Sequence, residues 1–155
     1  MTKTSHLLEI ERLAIDLMRQ HLPADQHWTF RWGKGKNRVG VCNYLKREIR
    51  LSRFIAAMNP VETARNTILH EIAHALAGSR AGHGPEWKAW CRQLGARPER
   101  LADPERVATP ERAWVITCSN CGPVGRRHRR FDPRKYSCGR CKKPGTLDLY
   151  KEIIR

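Results

Sequence analysis

The stretch Thr67-Ile-Leu-His-Glu-Ile-Ala-His-Ala-Leu-Ala-Gly78 places two histidines four residues apart, with a glutamate directly after the first. On a helix this spacing makes His70 and His74 neighbours on one face. Two imidazoles on one face can hold one divalent metal, and Glu71 would then lie beside the metal without binding it. Because zinc activates water at close to neutral pH, a carboxylate in that position could accept the proton of the attacking water. The pattern therefore predicts metal-assisted hydrolysis with Glu71 as general base.

The residues around this pattern predict a helix that is buried on one side. Ile68 and Ile72 lie four residues apart, and most of the other positions are small. We expect Asn59 to cap the helix, with Pro60 in its first turn, and Gly78 to end it. The alternative is an ordinary amphipathic helix with surface histidines. A helix closed at both ends and buried on one side would have no structural use for two histidines and a glutamate, which favours metal binding.

A third ligand is needed, because catalytic zinc usually has three protein ligands and an open fourth position. His83 is the expected ligand, since the glycines on both sides of it let the chain turn back toward the first helix. A second helix should begin at Pro85 and end at Gly95, with Trp87 in its apolar stripe. Glu86 remains the alternative ligand, although a carboxylate in the first turn of a helix also suits the positive helix end.

His70-Glu71-x-x-His74 followed by Gly82-His83-Gly84-Pro85-Glu86-Trp87 resembles the SprT-like metalloprotease family, whose eukaryotic members include Spartan. The resemblance implies that His70, His74 and His83 bind a catalytic zinc ion and that Glu71 is the base. It also implies substrates that are proteins bound or crosslinked to DNA. The third histidine follows the second by nine residues, a longer spacing than in metzincins, so no metzincin is implied.

The rest of the first part of the chain predicts one helix and three strands. The helix should run from about residue 5 to residue 21, where a wide apolar stripe ends. Apolar and polar residues alternate in Trp28–Trp32 and are strand-like in Arg38–Tyr44, and Glu48–Ser52 should form the third strand. We expect two hairpins in a small antiparallel sheet, an order similar to that of SprT-like domains. The expected fold class is α+β, a zincin-like minimal metalloprotease domain.

Two further roles are considered for this sheet. A strand edge near the metal could hold an extended peptide by strand addition. Trp28, Phe30 and Trp32 lie beside a basic, glycine-rich turn, an arrangement that could bind single-stranded DNA. For these aromatic residues we favour the simpler interpretation, a row that faces the core and is followed by a solvated basic turn.

Two C-x-x-C pairs lie near the C-terminal end, Cys118-Ser-Asn-Cys121 and Cys138-Gly-Arg-Cys141, with sixteen residues between them. This spacing matches a four-cysteine zinc site, in which four thiolates complete the tetrahedron and leave no place for water. Such a zinc ion is structural. A redox pair is the alternative, but a segment this short is not expected to fold without a bound metal or another cross-link. SprT-like proteins often carry a similar zinc ribbon.

These motifs divide the sequence into three parts. Residues 1–96 form the expected SprT-like zinc metalloprotease domain, and residues 114–155 the four-cysteine zinc ribbon. Residues 97–113 contain three prolines and charges of both signs, which predicts a linker or an irregular lid.

The net charge is +15 with neutral histidines, from thirty basic and fifteen acidic residues. A balance of this kind indicates a polyanionic partner such as DNA. The cations concentrate in the expected ribbon, and phosphate contacts without base reading would make binding independent of sequence. A solvated charged face is the alternative. The candidate DNA-binding residues are Arg126, Arg127, Arg129, Arg130, Arg134 and Lys135.

No targeting segment and no apolar run of membrane-spanning length is found. Cys42 and Cys91 stand alone in apolar surroundings, as expected of reduced thiols, so we expect a cytoplasmic, DNA-associated protein. Two further functions remain open. One is a non-catalytic nucleic-acid-binding zinc protein, an accessory or regulatory factor whose histidine site is only structural. The other is a metal-dependent nuclease, against which the family resemblance argues.

Overall fold

The helix expected around the two histidines is present as α3, Val61–Ala77, in a computed structural model that describes residues 3–152. Its buried side meets the rest of the first unit and has the four-residue spacing that the sequence predicted. Gly78 ends the helix with a positive φ of 82°, as expected. The residues buried along this side are Ala64, Ile68, Leu69, Glu71, Ile72 and Ala73.

The expected cap of α3 is wrong, because Asn59 is used elsewhere. Pro60 takes the N-cap position and makes no side-chain hydrogen bond there. Asn59 is buried, and its Nδ2 donates to the carbonyls of Ile55 at 2.7 Å and Ala108 at 2.8 Å. Its Oδ1 accepts the backbone N–H of Ala108 at 2.8 Å. A side chain committed to these three bonds cannot also bond the first turn of the helix.

The other two long helices lie where the sequence predicted them. Helix α1 occupies Lys3–His21, and its buried residues have helical spacing, as in Ile10, Ala14 and Leu17. A short helix, α2, follows the sheet at Arg53–Ala56. Helix α4 occupies Pro85–Leu94, with Pro85 in its first turn. Ala24–Gln26 forms one 3₁₀ turn between α1 and the sheet.

The three expected strands are present as β1 (Thr29–Gly33), β2 (Gly40–Asn43) and β3 (Glu48–Ser52). Their order is β1-β3-β2, with β3 parallel to β1 and antiparallel to β2. The expected antiparallel sheet with two hairpins is therefore wrong, since only β2 and β3 form a hairpin.

The glycine-rich turn explains the difference in strand order. Residues 34–39 carry the chain past the end of β3, where the Ser52 hydroxyl donates to the carbonyl of Gly35 at 2.6 Å. The chain therefore crosses to the far side of β3 before β2 begins. As favoured from the sequence, the aromatic row packs against the core, and the Trp32 indole donates to Glu11 of α1 at 2.8 Å.

Residues 97–109, expected to belong to a linker, lie instead with the first of two compact units, Met1–Thr109 and Pro110–Arg155. The segment is held at both ends by asparagines. The backbone N–H of Arg97 donates to Oδ1 of Asn66 at 2.9 Å, and Asn59 holds Ala108. Val107 is buried. The alternative expectation, an irregular lid, describes this part of the segment better than a linker does.

The second unit is a three-stranded antiparallel sheet of β4 (Trp114–Cys118), β5 (Gly122–Arg127) and β6 (Leu147–Lys151), in the order β5-β4-β6. A 3₁₀ turn occupies Pro133–Lys135. With helices and two small sheets the expected α+β class is confirmed. None of the helices within residues 3–152 is long and apolar enough to cross a membrane.

Candidate metal centres

Three histidine side chains from two places in the chain converge in the first unit. His70 and His74 lie one turn apart on α3, and His83 approaches from the loop before α4. Their candidate ligand nitrogens lie within 4.8 Å of one another, and Nε2 of His74 is 3.1 Å from Nε2 of His83. Tetrahedral zinc with bonds of about 2.0–2.1 Å needs its ligand nitrogens roughly 3.3 Å apart. The donor set and its spacing therefore fit a zinc ion.

Burial keeps these imidazoles in the form that binds metals. Burial, and then the neighbouring histidines, lowers the pKa of His70 to about 4. Burial, and then His83, lowers the pKa of His74 to about 4. The pKa of His83 is lowered by burial and by the Arg100 guanidinium. All three rings are therefore neutral at pH 7, as ligation requires.

The indole of Trp87 packs against all three histidines. Its indole is fully buried, and its ring centre lies 4.7 Å from that of His70, 5.3 Å from that of His74 and 4.6 Å from that of His83. The indole N–H donates to the carbonyl of His70 at 3.4 Å. One rigid side chain thus contacts all three imidazoles and restricts their rotation.

The side chain of Glu71 packs against strand β2. Only 6% of the residue is exposed, and burial raises the pKa of its carboxyl to about 8. The backbone N–H of Cys42 on β2 donates to this carboxyl and, with the Arg38 guanidinium, lowers the pKa in part. The Cys42 donor fixes the carboxyl beside the histidines, and a divalent cation held there would favour its ionised form, which a proton acceptor must have.

An open cleft of about 780 Å³ runs over the histidines and Glu71. Its walls are strand β2 with the turn before it, the exposed face of α3 and the segment 97–109. That volume lies in the range of ligand-binding clefts. Several residues that line the cleft were not connected with the site from the sequence, among them Gly40, Tyr44, Asn66, Arg97 and Arg100.

The comparison with protein families agrees with this geometry. The model of the SprT-like family matches residues 10–106, which is more than half of the chain. The chain belongs to the SprT-like family. This family is generally of metalloprotease type. The matched residues include α3, His83 and most of the segment 97–109 that lines the cleft. No solved structure matches this chain.

Glu86 was the alternative third ligand. Within residues 3–152 the group of possible ligands at this site contains His70, His74 and His83 and does not include Glu86. Glu86 is exposed in the first turn of α4, where its charge favours the positive helix end. Of the two ligands that the residues alone left open, the structure brings His83 to the site.

The four paired cysteines form a second cluster, in the second unit. Their sulfur atoms lie within 4.8 Å of one another, and the Sγ atoms of Cys118 and Cys141 are 3.8 Å apart. Each pair is closed by a backbone hydrogen bond, from Cys121 to the carbonyl of Cys118 and from Lys142 to that of Cys138. Cys118 and Cys138 are buried. Four thiols in this arrangement fit a tetrahedral zinc ion with no open position.

The candidate DNA-binding residues are all exposed on the second unit. Two of them are paired with acidic side chains, Arg126 with Glu152 and Arg134 with Asp132. The Arg127 guanidinium lies 4.8 Å from the ring centre of Phe131. Among the described residues, Arg129, Arg130 and Lys135 have neither an acidic partner in an ion pair nor a contact with an aromatic ring.

Proposed function

We propose that the protein is a zinc-dependent endopeptidase that acts on proteins bound or crosslinked to DNA. One observation carries the proposal: three neutral histidines converge in an open cleft, with the buried carboxyl of Glu71 beside them. A purely structural metal site needs neither the carboxyl nor the cleft. Membership of the SprT-like family supports the same reaction.

His70, His74 and His83 would hold the catalytic metal, and their donor set and spacing suit zinc. When bound, zinc would supply Lewis-acid chemistry, activating water and polarising the carbonyl of the peptide bond. Trp87 keeps the three rings oriented by contact.

Glu71 would move the proton. With its carboxyl fixed by the N–H of Cys42, it can accept a proton from the attacking water and later donate one to the leaving amine. Because the carboxyl is buried against β2, few water molecules compete for its position. This role needs the carboxylate to stand beside the ligands without being one of them, and Glu71 is absent from the ligand group.

Strand β2 would hold the substrate backbone. The N–H of Ser52 donates to the carbonyl of Val39 at 2.8 Å, so the peptide groups of Val39 face β3. Peptide groups alternate in direction along a strand, and those of Gly40 and Cys42 therefore face away from β3. These two residues also line the cleft. Because the Cys42 N–H already donates to Glu71, an extended peptide would add through the N–H and carbonyl of Gly40 and the carbonyl of Cys42, beside the catalytic carboxyl.

The second unit would recruit DNA. Exposed cations without acidic partners, Arg129, Arg130 and Lys135, lie near the paired Arg126 and Arg134. Phosphate contacts from such residues would be independent of base sequence. Zinc on the four cysteines would keep this small sheet folded, as metal binding does in other short domains.

The test is incubation of the zinc-loaded protein with a DNA-binding protein, with and without single- and double-stranded DNA, followed by mass spectrometry of the fragments. We expect peptide-bond cleavage that increases when DNA brings both proteins together. Cleavage of the DNA, with the protein left intact, would favour the nuclease. No cleavage of either would favour the accessory factor.

A further inference from the structure

Gly40 on strand β2 lies directly against the carboxyl of Glu71. Because glycine has no side chain, the carboxyl can occupy the space that a Cβ atom would fill. A Cβ atom on Gly40 would lie 2.6 Å from Oε1 and 3.0 Å from Cγ of Glu71. It would also lie 2.8 Å from Cγ2 of Thr67. Distances under 3.0 Å require one of these groups to move.

Backbone conformation does not explain the glycine. The φ of Gly40 lies outside the left-handed region that favours glycine, so another residue could adopt it. Gly40 sits in a regular ladder position opposite Leu51. A glycine inside a strand often marks a close approach of another group, and here that group is helix α3.

Neither neighbour of Gly40 is free to move aside. The Thr67 hydroxyl donates to the carbonyl of Thr63 at 3.0 Å, which fixes the rotamer and the position of the methyl group. The carboxyl of Glu71 is held by the N–H of Cys42, two residues along the same strand. A side chain at position 40 would therefore push the carboxyl away from its donor.

We propose that Gly40 is a positioning residue for the general base: it lets β2 pack directly on Glu71, so that the Cys42 N–H fixes the carboxyl beside the metal ligands. This inference rests on the proposed peptidase function. Glycine has no side chain that could bind a metal or transfer a proton. It acts through the orientation of Glu71 alone.

The first test is the Gly40→Ala variant, assayed with a fluorogenic peptide. We expect kcat to fall roughly tenfold to a hundredfold, because displacement of a catalytic group by about 1 Å costs up to that much. KM should stay within about threefold, since the outward peptide groups of strand β2 are retained. Zinc content should equal that of the parent. Gly35→Ala is the matched control, because a Cβ there meets nothing within 4 Å, and it should cleave like the parent.

The second test measures thermal unfolding of the zinc-free protein and needs no substrate. Overpacking at Gly40→Ala should lower the midpoint by about 5 °C or more. In the Glu71→Ala background the loss should be clearly smaller, because Oε1 and Cγ are gone and only the Thr67 methyl remains in the way.

The two tests separate the possible failures. A loss of stability that Glu71→Ala does not reduce, including failure of both variants to fold, would overturn the proposal. So would a Gly40→Ala enzyme with the parent's kcat. If the parent itself cleaves no peptide, the proposed function fails, while the unfolding cycle still decides whether Gly40 makes room for Glu71.

Discussion

His83 is the residue on which completion of the metal site depends, because among the described residues it is the one member of the ligand group that lies outside helix α3. Its neighbour Glu86 has a carboxylate three residues later, but among the described residues it is exposed and not a member of the ligand group. A substitution of His83 therefore tests the ligand set, and the same substitution of Glu86 is its control.

We expect the purified parent to contain two zinc ions per chain, one at each ligand group. His83→Ala should retain one, because three ligands hold the catalytic ion and loss of one weakens binding strongly. Glu86→Ala should retain both. Metal analysis after dialysis against a mild chelator makes the comparison. If Glu86→Ala loses the ion and His83→Ala keeps it, the ligand set is wrong.

At the scale of single residues, the sequence predicted which histidines come together but not which residues pack around them. Spacing predicted that His70 and His74 share a helix face, and the glycines beside His83 predicted that the chain turns back toward them. Gly40 was not recognised, because its role depends on helix α3 packing against β2, a contact between residues far apart in the chain. The signal that could have revealed it was a glycine inside a strand-like run.

Among the elements, the segment 97–109 differs most from its expected role. Prolines and mixed charges predicted a linker or a lid, and tethering by Asn66 and Asn59 places it along the cleft. Composition alone could not reveal these tethers, because they join residues 31 and 49 positions apart in the chain. The sheet order was missed for a similar reason, since the turn between β1 and β2 looks like that of a hairpin.

Replacing Asn59 should loosen this segment. Asn59→Ala removes the hydrogen bonds that the buried Asn59 side chain makes to Ile55 and Ala108, each of which typically contributes about 0.5–1.5 kcal/mol. Urea denaturation measures the loss, and limited trypsin digestion should cut faster at Arg100 and Arg106. Asn37→Ala, at an exposed residue, is the control and should change neither. Unchanged digestion of Asn59→Ala would mean that Asn59 does not anchor the segment.

For the whole molecule the distribution of charge is the main clue to a partner. The second unit carries twelve basic and four acidic residues, and the first carries eighteen and eleven, so excesses of 8 and 7 make up the total of +15. The second unit is much the shorter, and its charge is correspondingly dense. The density of charge can be read from the sequence alone. The pairing of Arg126 and Arg134 with acidic residues is visible only in the structure.

We expect the unpaired cations to dominate DNA binding. Arg129→Ala, Arg130→Ala and Lys135→Ala, combined in one protein, should weaken binding to unrelated sequences alike. They should also reduce the slope of log K against log salt by roughly 2–3, since each phosphate contact contributes about 0.7–0.9. The matched variant, Arg126→Ala with Arg134→Ala, should change the slope less, because these residues already have partners. Fluorescence anisotropy over a salt series measures both, and an equal slope in the triple variant and the parent would contradict the assignment.

The central claim, that Glu71 is the base of a zinc peptidase, is tested most directly by the cleavage rate of Glu71→Gln at unchanged zinc content. Glutamine keeps the size of the side chain but cannot accept a proton. Folding, metal content and DNA binding should survive, because the histidines hold the zinc and the cations lie in the other unit. The rate should fall on the order of a hundredfold to ten-thousandfold. Cleavage at the parent's rate with both zinc ions present would contradict the mechanism.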